Sequence, residues 1–184
     1  MVKKLKGKTW YNLVAPKMFD SKVLGKTPAG DSDTIIGRTV EVSIINLLNN
    51  PSKYYLKFKF KGVKIEETKV ITEFAGLVCL RDYISRMVRH GVRRIDTVQD
   101  LTTEDKKKVR VKTLTLISKR ARKEVEVTMR KFIKDGIKER VESMKLDDFL
   151  SKLLDDSLKR ELLTKGNKIY PIRAFEVIKI ERLD

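Results

Sequence analysis

The chain has 184 residues, 41% of them hydrophobic, and its 42 lysines and arginines outnumber 25 aspartates and glutamates for a formal charge of +17. That size suits one large domain or two small subdomains around a real core, and the composition excludes wholesale disorder. A compact body this cationic repels itself, so the charge implies a polyanionic partner, while no run approaches the roughly eighteen apolar residues of a membrane-spanning helix.

In chain order, Met1-Val2-Lys3-Lys4-Leu5-Lys6-Gly7-Lys8 has a basic front with no apolar segment behind it. It reads as a solvated arm (residues 1–9) rather than a secretion signal. Residues 10–184 then form a single α+β domain. Trp10-Tyr11-Asn12-Leu13-Val14-Ala15 is strand-like and stops at Pro16. Residues 25–34, with Gly25, Pro28, Gly30 and two aspartates, are expected to be a loop. Val40, Val42 and Ile44 alternate with Thr39, Glu41 and Ser43 in a half-buried strand, and Asn49-Asn50-Pro51 turns the chain.

Residues 55–61 carry the clearest period of two. Leu56, Phe58 and Phe60 fall on one face, and Lys57, Lys59 and Lys61 on the other. After Gly62 the apolar parity shifts to Val63 and Ile65, which predicts a bulge or tight turn at the glycine. Residues 68–74 form the returning antiparallel strand. Leu80, Tyr83, Ile84, Met87 and Val88 share one helical stripe, with Gly91 placed to cap it.

Residues 92–98 and 109–117 read as strands around a solvated turn. A long helix follows over 121–144, its stripe formed by Val125, Met129, Phe132, Ile133, Ile137, Val141 and Met144. Gly136 inside it costs about 1 kcal/mol relative to alanine, so a kink or close packing is expected there. One or two short leucine-rich helices cover 147–164 and end at Gly166. A last strand over 172–183 returns to the sheet.

The residues offer little catalytic chemistry. Gly25-Lys26-Thr27 ends like a phosphate-binding loop, but the glycine such a loop needs five positions earlier is Asp20. His90 is the only histidine and Cys79 the only cysteine, too few for a zinc site. Flanked by Arg89, Arg93 and Arg94, His90 reads as an exposed polar residue. Cys79 reads as a small buried hydrophobe that fits a reducing compartment. The carboxylate pairs Glu66-Glu67, Asp147-Asp148 and Asp155-Asp156 raise the question of two-metal chemistry. Asp147 and Asp148, however, open a helix, where acids complement the macrodipole. No catalytic residue, cofactor or metal is expected.

The basic residues instead form several blocks without matching acidic ones. Candidate RNA contacts are Lys3, Lys4, Lys6 and Lys8 in the arm; Lys57, Lys59 and Lys61 on the strand; and Arg86, Arg89, Arg93 and Arg94 around the first long stripe. Lys119, Arg120, Arg122 and Lys123 enter the long helix, and Arg130, Lys131 and Lys134 lie largely off its apolar stripe. The run from Lys106 to Lys112 is also basic. With no zinc finger and no recognition-helix or RRM signature, this pattern favours binding by shape and phosphates over base reading.

Several short pieces then occur in an order that resembles a known family. They are Val14-Ala15-Pro16, Gly25-Lys26-Thr27, and Gly37-Arg38-Thr39-Val40-Glu41-Val42-Ser43. Phe74-Ala75-Gly76-Leu77 leads into the basic helix over 80–90, the basic stretch over 119–140 follows, and Ile169-Tyr170-Pro171-Ile172 precedes the last strand. Over residues 10–183 the chain resembles the archaeal and eukaryotic small-subunit ribosomal protein family S-three-A-e, renamed S-one-e, in its archaeal form.

The resemblance implies a small antiparallel β-barrel-like sheet decorated by helices. It also implies a structural constituent of the cytoplasmic ribosome that supports translation on the platform of the small subunit. The implied partners are small-subunit rRNA, neighbouring small-subunit proteins and messenger RNA near its exit, with no membrane and no small-molecule substrate. Relative to eukaryotic members the basic arm is shorter and the chain stops at Asp184, so roles tied to their extensions are not carried over. The rival reading is a free-standing nucleic-acid-binding protein, an RNA chaperone or chromatin factor outside the ribosome.

Overall fold

A computed structural model describes residues 7–48, 51–118 and 120–183. The class is α+β, with eight strands and five α-helices among the described residues. The sheet is mixed and open rather than barrel-closed, since β2 and β6, defined below, each pair with one strand only. By packing, the chain divides into residues 1–77 and 78–184.

In the first unit, β1 (Thr9–Val14) pairs antiparallel with β2 (Val23–Ala29) and parallel with β5 (Lys69–Cys79). β3 (Thr39–Ser43) pairs antiparallel with β4 (Leu56–Glu66), and β4 pairs with β5. The short helix α1 (Ile44–Leu48) follows β3.

Leu56, Phe58 and Phe60 point inward as their period requires. Phe58 packs against Phe19 at 5.0 Å and Phe74 at 5.8 Å between ring centroids, both edge-to-face. Leu13, Ala29, Ile35 and Val70 make a second buried group beneath the β1–β2 ribbon.

One expectation fails in this unit and another holds in part. The segment expected to loop from residue 25 is instead strand β2 as far as Ala29. Pro28 fits there because β2 is an edge strand, where an absent N–H breaks no ladder. At Gly62 there is no tight turn, but beyond it the inward parity does shift, since Lys64 is exposed and Ile65 packs against the core. β4 runs on through it, Gly62 faces inward, and Val63 stays exposed. A Cβ on Gly62 would lie 3.1 Å from Val70 Cγ1 and 3.2 Å from the Ile35 carbonyl oxygen. The glycine therefore serves close approach, not bending.

In the second unit, α2 (Arg81–Met87) precedes a meander in which β6 (Val92–Thr102), β7 (Lys108–Ser118) and β8 (Ile172–Arg182) pair antiparallel in the order β8-β7-β6. Three helices intervene before β8: α3 (Lys123–Glu142), α4 (Leu146–Leu154) and α5 (Ser157–Gly166). α3 packs on β6 and buries Met129, Ile133, Ile137 and Val141. The Arg140 guanidinium, itself buried, donates to the Gly136 carbonyl at 2.6 Å and pairs with Glu161 of α5 at 2.8 Å.

Candidate nucleic-acid interface

In the second unit, antiparallel register gathers basic residues that are distant in sequence. Val92 lies opposite Ser118 and Arg93 opposite Ile117. Gly91, at φ +80°, supplies the left-handed step between α2 and β6. Beyond Ser118 the chain enters α3, whose N-cap is Arg122. The basic stretches over 86–94 and 120–123 therefore meet at one end of the β6–β7 hairpin.

Their charges are not equally free. Glu126 accepts from Arg93 at 3.5 Å and from Arg130 at 3.0 Å. Arg94 donates to both oxygens of Asp96 at 2.9 and 2.8 Å. Arg86, Arg89, Arg120, Arg122 and Lys123 are all exposed. Among the described residues, none of these five pairs with a carboxylate. Arg89 spends only its Nε, on the Arg86 carbonyl oxygen at 3.0 Å. Arg122 and Lys123 also sit at the positive end of the α3 dipole, where a cation costs about 0.3–1 kcal/mol and an anion is favoured. This end of the hairpin is an anion-seeking surface.

Other candidates are placed differently. Lys57, Lys59 and Lys61 do share the outer face of β4, opposite Ser43, Glu41 and Thr39 of β3. Lys59 is paired with Glu41 at 2.7 Å, and its hydrogen bond holds that carboxyl below the usual carboxylate range. Lys57 is half-buried and Lys61 exposed. Lys8 is exposed just ahead of β1. On α3, Lys131 is exposed and Lys134 half-buried, and Lys134 lies about 16 Å along the axis from Lys123. Lys3, Lys4, Lys6 and Lys119 lie outside the described residues.

Sequence reasoning missed the neutralising partners. Arg110 grips Asp100 with two hydrogen bonds, of 2.6 and 2.7 Å, across the β6–β7 ladder. These bonds lower the Asp100 pKa. Lys179 pairs likewise with Glu181 on β8 and lowers the pKa of that carboxyl. The run from Lys106 to Lys112 is thus partly self-neutralised. The Asp100–Arg110 pair becomes visible only when register is known, because its members are ten residues apart.

The carboxylate doublets converge on nothing. Glu66 ends β4 and Glu67 turns toward β5 at φ +53°, while Asp147 and Asp148 occupy the first turn of α4. Among the described residues no three His, Cys, Asp or Glu side chains are grouped to hold a metal ion.

Against this geometry, the chain matches the Ribosomal S3Ae family over residues 1–184. It belongs to that family. It is similar to the small ribosomal subunit protein eS1 of Methanopyrus kandleri, with 36% identity over 98% of this chain and 88% of the relative. The protein of the same name in Sulfurisphaera tokodaii is 35% identical over 98% of this chain and 93% of the relative. That of Saccharolobus islandicus is also 35% identical, over 98% and 86%.

Proposed function

We propose that this chain is a non-enzymatic structural constituent of the small ribosomal subunit, bound to its rRNA and to neighbouring proteins in the cytoplasm. Its full-length match to a ribosomal family carries the reading. The relatives are small-subunit proteins by name, and the cationic end of the β6–β7 hairpin supplies a surface for phosphates. Within the subunit we place it on the platform near the messenger exit, where the family resemblance seen in the sequence puts it.

The mechanism is electrostatic and geometric. Exposed guanidinium and ammonium groups displace counterions from RNA, and the paired strands fix their spacing. Residues 10–184 would act as a single RNA-binding domain behind a basic arm over residues 1–9. The decisive test is sedimentation of cell extract through a sucrose gradient in low salt. The chain is expected to run with small subunits and to leave them in high salt. Recovery only among small soluble species would favour a free-standing RNA chaperone or chromatin factor.

A further inference from the structure

The largest exposed apolar side chain among the described residues belongs to the first unit. Trp10, the only tryptophan, is 62% exposed although it sits inside strand β1. Its direct partner on β2 is Pro28, also exposed. The alternate residues of this ribbon, Leu13 and Ala29, are buried in the core. The backbone beneath the indole is thus anchored while the ring stays in solvent.

Pairing with β5 begins only at Asn12, so the Trp10 end of the ribbon reaches past it. One row along, about 7 Å away, Asn12 lies between Lys26 of β2 and Lys69 of β5, and both lysines are exposed. Lys8 precedes the strand. Neither β1 nor β2 contains a carboxylate.

A wide, rigidly seated aromatic surface beside a row of cations fits one ligand chemistry. Bases offer flat faces that stack on indole, and the backbone they hang from carries the phosphates for the lysines. Anionic duplex satisfies the lysines but buries its bases against each other, leaving nothing to cover the ring. We propose that Trp10 is a stacking platform for an unpaired nucleobase of bound RNA, with Lys26 and Lys69 on the adjoining phosphates. The inference rests on the RNA-binding reading and goes beyond it, since it assigns a contact to single-stranded RNA on the β1–β2 ribbon of the first unit.

Because Trp10 is the only indole, its fluorescence reports this face alone. Full-length protein would be titrated with end-labelled single-stranded oligouridylate and, separately, with an oligoadenylate–oligouridylate duplex. Binding is followed by anisotropy of the label and stacking by indole emission. The single strand is expected to quench the indole and the duplex to bind without quenching. Trp10→Ala should weaken single-strand binding by about 10-fold, with Trp10→Phe close to wild type and duplex binding unchanged.

Binding of both RNAs with unaltered emission, or equal losses on both in Trp10→Ala, would overturn the platform and leave the face to a protein neighbour. If the label shows no binding of either RNA, the RNA-binding reading falls and the platform with it.

Discussion

Cys79 shows how one side chain registers its surroundings. It is buried, and its thiol donates only a long hydrogen bond, 3.7 Å, to the Leu80 carbonyl oxygen. Burial, followed by the charge of the Glu176 carboxylate, pushes its pKa up to about 12. Glu176 is itself buried and satisfied by an ion pair from Lys159 of α5 and by the Tyr83 hydroxyl, which donates to it at 3.4 Å. An unfolded cysteine ionises near pH 8.5. Above that value the unfolded state has released a proton that the folded state still holds, so stability falls as pH rises toward about 12.

A thiol-exchange reagent at pH 8 should therefore react slowly with native protein and rapidly in denaturant. Prompt stoichiometric reaction in the native state would show that the thiol is not enclosed. Replacing Cys79 with alanine should flatten the alkaline slope of stability.

At the scale of one element, α3 illustrates packing overriding propensity. The sequence places a glycine in mid-helix, and the helix passes through it without interruption. A Cβ at Gly136 would lie 2.8 Å from Leu162 Cδ2, and Leu162 of α5 is itself 1% exposed with little room to retreat. Gly136→Ala gains about 1 kcal/mol of helix propensity but incurs overpacking of about 1–3 kcal/mol. Net destabilisation of about 1 kcal/mol is expected by urea denaturation; a clear gain would mean that α5 can shift. The two expectations at this glycine, kink or close packing, are thus decided for packing.

The neighbouring elements show what periodicity reveals. The alternation in β4 and the apolar stripe of α3 were readable because burial on one face imposes a period. The strand β2 was not, since its glycine and proline are punished only in a central position, and its place at the sheet edge is a tertiary fact.

For the whole molecule, the proposed RNA binding depends on which cations are left without acidic partners. Exposed arginines and lysines without acidic partners keep their full charge for phosphates, whereas Arg94 and Arg110 would first have to leave Asp96 and Asp100. Changing Arg86, Arg89, Arg120, Arg122 and Lys123 together to glutamine should weaken binding to small-subunit RNA fragments. If each contacts one phosphate, the slope of log affinity against log salt should flatten by roughly 3.5–4.5. Thermal stability should hold, because all five are exposed. Arg94→Gln with Arg110→Gln, the matched control, should change RNA affinity little. An equal loss in the control would mean that position among the cations does not matter.

The amino-acid sequence by itself determined the α+β class, most strand and helix positions, the surplus of positive charge and the family. Each follows from local pattern or from totals, which folding cannot alter. Only the tertiary structure decided which charges are neutralised, that residues 86–94 and 120–123 meet, and that Trp10 faces solvent while Leu13 does not. Those outcomes depend on strand register and on sheet-edge position, and pairing across many residues sets both.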